Sequence, residues 1–281
     1  VEEIARAIQS VEGIVVLDRE MDRDHNRSVI TFAGPPETAG EAAVRGVARA
    51  VELIDLNRHT GEHPRIGAAD VVPFVPLEGV EMQECVELAH RTGEEIWRRC
   101  GVPVYFYEAA ARDLERVNLE KIRRGQFEGL REEVRTNPAR RPDVGGPDLH
   151  PTAGATVVGA RKFLIAYNIN LATSDLDLAK SIARAIREKD GGFPCVKAMG
   201  VMLEDRHLAQ VSINMTDFRR TPLHRVFETI RSEAARYGVE IVGSEIVGLV
   251  PQDALLAAAE HYLRIEEFSP DLVLENRLEE D

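Results

Sequence analysis

The sequence predicts a mixed α/β (α+β) protein of two ferredoxin-like split βαβ subdomains, with a ligand cleft between them. Three observations lead there. The second half spells strand, helix, strand, strand, helix, strand. The first half repeats that order from its first helix onward. Strands of the second half alternate apolar with polar side chains in the way of sheets that bury one face.

Taken in order, residues 2–10 read as a short helix, and Ile14–Leu17 and Ser28–Phe32 as strands around a polar turn. A helix is predicted over about 38–55, with Val44, Val47, Ala48, Val51 and Ile54 on one face. Strand Val71–Val75 follows. Met82, Cys85, Val86, Ala89, Ile96, Trp97 and Cys100 then recur at helical spacing, and Gly101 stops that helix. Strand Val102–Tyr107 leads into a charged helical region from about 110 to 135. The stretch 137–154 holds four prolines and three glycines and reads as a loop.

The second half opens with strand Lys162–Leu171 and a helix started by Ser174, carrying Leu178, Ile182, Ala185 and Ile186 inward. Val196–Leu203 and Leu208–Thr216 form a hairpin around "EDRH". Thr221 and Pro222 supply an N-cap and a first-turn proline to a helix buried through Leu223, Val226, Phe227, Ile230 and Ala234, closed by Gly238. A strand over Val239–Val250 and a last helix from about 252 complete the chain. The border is set at 172, giving subdomains 1–172 and 173–281.

Side-chain alternation assigns the sheet faces. In "KFLIAYNINL", Phe163, Ile165, Tyr167, Ile169 and Leu171 share one side, against Lys162, Asn168 and Asn170. In "AQVSINMT", Gln210, Ser212, Asn214 and Thr216 oppose Val211, Ile213 and Met215. Two polar faces, one per subdomain, are expected to enclose a wet cleft. The alternative is a sheet face that is merely solvated.

Composition narrows the function. A formal charge of −13 argues against a nucleic-acid partner, which needs a basic face. No apolar run approaches the ~20 residues of a membrane span, and no leader is visible, so the expected setting is the cytoplasm. Three widely spaced cysteines without CxxC fit a reducing compartment and give no disulfide framework. An anionic substrate would need a local positive island in this acidic chain. The available clusters are Arg27, Arg58 with Arg65, Arg140-Arg141, Arg161-Lys162, and Lys121, Arg123 and Arg124. The last group also reads as a solvated helix face.

The densest chemistry lies in "NRHTGEHPRIGAAD", residues 57–70. His63 is either a turn residue capping a carbonyl or a proton carrier titrating near neutrality. Glu62 and Asp70 are placed to orient its ring. His59 and His63 stand four apart and His25 lies in "DHNR", yet Gly61 and Pro64 forbid the helix that a zinc-protease motif requires, so no metal is expected. "GATVVGARKF", residues 154–163, sets Gly154 and Gly159 before a strand and Arg161-Lys162 after them, a pattern suited to close backbone approach by a ligand with carboxylates. It opens neither a dinucleotide fold nor a Walker loop.

These segments together resemble the glutamate formiminotransferase family, the transferase portion of formiminotransferase-cyclodeaminase. The matching stretches are "DHNRSVITFAG", "ELIDLNRHTGEHPRIGAADVVPFVP", "GVPVYFYEAAA", "GATVVGARKFLIAYNINL", "LAQVSINMTDF" and "VGSEIVGLVP", which run in order through nearly the whole chain. The resemblance implies two related α/β subdomains, a folate tunnel between them and a homodimer. It implies transfer of a formimino group from N-formimino-L-glutamate to N5 of tetrahydrofolate in histidine degradation, with tetrahydrofolate as co-substrate. The family's catalytic histidine falls on His63. Its folate-binding segment falls on Gly154, Ala155, Thr156, Val157, Val158, Gly159, Ala160, Arg161, Lys162 and Phe163. The family usually opens with a "VPNFSEG"-like strand that precedes the first residue here, so its site residues are expected outside this sequence. The sequence also ends before a cyclodeaminase segment, so one activity is expected.

The chemistry sets the roles. N5 becomes cationic on attacking the amidinium carbon and must lose a proton, and the departing glutamate nitrogen must gain one. One imidazole can serve both steps. The amidinium is already an activated electrophile, which leaves no task for a metal. Asn26, Arg27, Glu62, Arg65 and Asp70 are the supporting and anion-binding residues, with Arg161 and Lys162 beside them. Two other readings stay open on the sequence: a formyltransferase using N-formylglutamate on the same scaffold, and a folate-binding protein without catalysis.

Overall fold

A computed structural model describes residues 1–22, 26–61 and 63–279. The chain divides into two compact units between Lys162 and Phe163, earlier than the expected border at 172. The reason is β6 (Ile165–Leu171), which is hydrogen-bonded on both edges to strands of the second unit. A strand paired on both sides cannot belong to the other body.

In the second unit the predicted order is met in full: β6, α6 (Leu176–Ile186), β7 (Val196–Leu203), β8 (Leu208–Met215), α7 (Leu223–Ala235) and β9 (Ile241–Val247). The sheet runs β7-β8-β6-β9 with every neighbour antiparallel, the split βαβ arrangement. Ile165, Tyr167, Ile169, Leu171, Val211, Ile213 and Met215 face the core with α6 and α7, as their alternation predicts. Helix starts differ in detail. Asp175, not Ser174, caps α6, its carboxylate accepting the Asp177 and Leu178 N–H groups at 2.9 and 3.0 Å. Thr221 is buried and its hydroxyl donates to the Pro194 carbonyl at 2.7 Å, so it ties two segments together rather than capping α7. Two further helices follow, α8 (Gln252–Leu263) and α9 (Leu274–Glu279).

The first unit departs from expectation. It contains α1 (Glu2–Gln9), β1 (Val15–Asp22), β2 (Arg27–Ala33), α2 (Pro36–Leu53), β3 (Val71–Phe74), α3 (Met82–Cys100), β4 (Val104–Glu108), α4 (Leu119–Ile122), α5 (Gln126–Glu133) and β5 (Thr156–Ala160). β1 and β2 form a separate antiparallel pair. The other three strands form a parallel sheet in the order β3-β5-β4. A ferredoxin-like sheet is therefore seen in the second unit and not among the described strands of the first.

The strand that changes the topology is β5. Its residues "TVVGA" were assigned to no strand from the sequence, yet all five are buried at the centre of the sheet. An apolar run of this kind is the signature of a parallel strand covered on both faces. Val158 and Ala160 join a core with α2 and α3, and Val157 joins Tyr105, Tyr107, Ile122 and Leu130 on the other face. The parallel sheet thus offers no polar face, and the expected pair of polar faces reduces to one, in the second unit. The charged region after β4 is not one helix either. Gly125, at φ +80°, breaks it between α4 and α5.

Candidate active site

The segment carrying His63 leaves α2 and returns at β3, and it is held at both ends by bonds its own sequence provides. Leu56 is buried and donates its N–H to Thr152 O at 2.8 Å. Asn57 donates from its amide to Asp55 Oδ1 and Pro151 O, at 2.8 and 3.0 Å, and accepts from Arg131. From the β1–β2 turn, Asn26 in left-handed backbone donates to Thr60 O at 2.7 Å, while His59 Nε2 donates to Asn26 O at 2.9 Å. Asn26 was proposed on the sequence, and the structure brings it onto the histidine loop. Arg27, next to it, stands exposed at the start of β2.

Beyond His63, the loop is pinned again. Arg65 forms a fork with both carboxylate oxygens of Glu128, at 2.6 and 2.9 Å, and a third bond to Gln126. The guanidinium holds the Glu128 carboxyl below its usual range. Arg65 was expected to meet a substrate carboxylate, but its side chain is only 12% exposed and committed to α5. Asp70 was expected to orient the imidazole. Instead its Oδ1 accepts the Ile66 and Gly67 N–H groups at 2.7 and 3.2 Å, and its Oδ2 meets Arg123. Both residues build the loop. His63 lies half-buried between these two sets of anchors. Glu62 and His25 lie outside the described residues.

The clamp on the far side comes from the segment 154–163. Ala155 N–H donates to Ile66 O and Ala68 N–H to Ala153 O, each at 2.9 Å. The two backbones cross at glycines. A Cβ on Gly67 would fall 2.0 Å from Ala155 O, and one on Gly154 would fall 2.1 Å from Ile66 O. Gly154 also sits at φ +70°. Gly154 and Gly159 read from the sequence as room for a ligand; what approaches Gly154 is the histidine loop, and what approaches Gly159 is Tyr107.

β5 then carries the segment through the core, so Thr156–Ala160 have no exposed side chain. Five strand residues span roughly 16 Å. The ten residues 154–163 therefore do not present one continuous ligand surface. Gly154 and Ala155 belong to the histidine end, and Arg161, Lys162 and Phe163 lie at the other. There Arg161 N–H donates to Phe74 O at 3.0 Å, and its positive charge lies near the buried Tyr107 hydroxyl, whose ionisation burial opposes. Carboxyl ends of parallel strands are where open α/β sheets receive ligands, and Arg161 and Lys162 are cations placed there, directly after β5. Of the other clusters, Arg140 is buried and donates to the Lys121 and Arg124 carbonyls.

One residue that the sequence reading passed over is His150. Its Nδ1 accepts the Ala153 N–H at 3.0 Å and lies 3.4 Å from Thr152 N, shaping the turn that delivers Gly154. Burial holds its pKa below the usual 6.5. Acceptance at Nδ1 requires the neutral ring. A depressed histidine pKa stabilises the fold fully above the unfolded value and progressively less as pH falls through it. Thermal unfolding of the wild type should therefore show a midpoint that drops between pH 7 and pH 5, and His150→Leu should remove part of that slope. An identical slope in both proteins would dissociate His150 from it.

Among the described residues, no group of three His, Cys, Asp or Glu side chains is placed to hold a metal. Among the same described residues, no helix is long and apolar enough to cross a membrane.

Comparison with known proteins places this geometry. Residues 1–161 match the family model of the formiminotransferase domain, N-terminal subdomain, and residues 166–277 that of the formiminotransferase domain. The chain is 49% identical over 271 residues to a glutamate formimidoyltransferase of Streptococcus pyogenes serotype M1, covering 96% of this chain and 90% of that protein. It is 47% identical over 281 residues to one of Thermoplasma acidophilum, covering 99% and 92%. With the formimidoyltransferase-cyclodeaminase of Gallus gallus it shares 45% over 272 residues, 95% of this chain and 50% of that protein.

Proposed function

The chain belongs to the formiminotransferase domain family, and from that premise we propose that it moves a formimino group from N-formimino-L-glutamate to N5 of tetrahydrofolate, a step of histidine degradation, with His63 as the proton carrier. The observation that supports this best is the two-sided anchoring of the histidine loop: Asn26 and Asn57 before His63, and Glu128, Asp70 and Gly154 after it. An imidazole that must serve two nitrogens in turn needs a fixed position, because misplacement by about 1 Å can cost roughly 10²-fold in rate.

In the proposed reaction the N5 lone pair attacks the amidinium carbon, and His63 accepts the proton that the new cationic nitrogen must shed. The tetrahedral adduct then expels the glutamate nitrogen, which takes the proton back from His63. One C–N bond forms, one breaks, and the imidazole ends neutral. Arg27 and Arg161 are our candidates for the substrate carboxylates, since Arg65 is committed to Glu128. Tetrahydrofolate enters as co-substrate, no resident metal is assigned a step, and the working enzyme is read as a cytoplasmic homodimer.

The test is release of free glutamate from N-formimino-L-glutamate by the purified chain. Release should require tetrahydrofolate. Glutamate release that proceeds equally without the folate would mean hydrolysis, and no release with both substrates present would remove the transferase reading.

A further inference from the structure

On the polar face of the second unit's sheet, four side chains from three strands are joined into one array. Gln210 on β8 donates from Nε2 to Asn170 Oδ1 on β6 at 2.9 Å and to Glu245 Oε1 on β9 at 3.0 Å. Asn168 on β6 donates to that same Glu245 oxygen at 3.2 Å. Gln210 and Asn170 are each only 4% exposed, whereas Glu245 is open to solvent. The register explains the cluster, since Asn170 stands opposite both Gln210 and Gly243, and Asn168 stands opposite Glu245.

This arrangement is costly for an idle surface. Asparagine is a poor strand former, and burying two amides is tolerated only when their bonds are made. What the array achieves is to hold one oxygen of an exposed carboxylate by two amide donors, leaving Oε2 without a bond among the described residues. Beside it lies cleared space. A Cβ on Gly243, on the same face as Glu245, would meet nothing within 4 Å.

We infer that Glu245, positioned by Asn168 and Gln210, binds a planar amidine edge, an N–C–N group offering two parallel N–H donors, with the ring or chain behind it lying over Gly243. A carboxylate matches such an edge in the same fork geometry that pairs it with a guanidinium. The inference deepens the proposed function, and both substrates of that reading carry the chemistry. One source is the 2-amino pyrimidinone edge of a tetrahydropterin, and the other is the formimino group itself.

The experiment titrates the full chain, by calorimetry, with 6-methyltetrahydropterin and separately with formamidinium, comparing the wild type with Glu245→Gln and Gly243→Val. Glutamine keeps the acceptor used by Asn168 and Gln210 but replaces Oε2 with a donor. Valine fills the space over β9 without meeting a neighbour, and it suits a strand. Binding of at least one probe by the wild type, weakened about tenfold or more in both variants, is expected from loss of charge-assisted bonds. The probe that responds identifies the source. Wild-type protein that binds neither probe, or Glu245→Gln protein that binds as well as wild type, would overturn the inference. Binding is read without turnover, so failure of the transferase reading would show separately, in the glutamate-release assay.

Discussion

His63→Ala should lower kcat by roughly 10²–10⁴-fold, the range typical of general acid–base catalysis, while affinity for tetrahydrofolate stays within a few-fold of wild type. The split between kcat and binding matters because His63 is assigned to proton movement and not to holding the pterin. The loop should also survive the change, since its anchors are other residues: Asn57 on Pro151, Asn26 on Thr60, Arg65 on Glu128, and Asp70 on the Ile66 and Gly67 amides. Steady-state rates beside a folate-binding isotherm decide the matter. A variant turning over near the wild-type rate would take His63 out of the mechanism, and one that loses folate binding to the same degree as kcat would make it a binding residue.

Gly154→Val should be the most damaging substitution in the segment 154–163, and the damage should appear without any ligand. Its Cβ would lie 2.1 Å from Ile66 O, against backbone that cannot swing aside, and its φ of +70° disfavours a branched residue. Overpacking and left-handed strain each cost about 1–3 kcal/mol, so a loss of roughly 2–6 kcal/mol is expected in urea unfolding of the ligand-free protein. Activity should fall further than stability, because the Ala155–Ile66 bond that sets the histidine loop is the first to be disturbed. If the glycine served only to admit a ligand, the ligand-free variant would unfold at the wild-type midpoint, and that outcome would contradict the clamp.

Particular residues show what was legible from sequence. In the second unit, Ile165 to Leu171 and Val211 to Met215 announced their buried face by strict alternation, and the β7–β8 hairpin was plain from the short turn that joins its strands. β5 was missed because a strand buried on both faces has no alternation to show, and because two glycines in "GATVVGA" imitate a loop. Only its position between β3 and β4, a long-range pairing, reveals what it is. The loop around His63 stood out by composition. The partners of Arg65 and Asp70 did not, because Glu128 and Arg123 are more than fifty positions away in sequence. Charge alone could not separate a cation reserved for substrate from one spent on the fold. The same blindness hid His150, whose role is visible only once its turn is seen delivering Gly154 to the loop.

The claim that organises these findings is that the anchored imidazole serves an amidinium carbon. The most direct measurement gives the wild-type protein tetrahydrofolate and equal concentrations of N-formimino-L-glutamate and N-formyl-L-glutamate, and follows which donor is consumed. The cationic amidinium is the better electrophile, so the formimino donor should disappear well ahead of the formyl donor, with glutamate released in step. Preferential consumption of the neutral formyl amide would contradict the account.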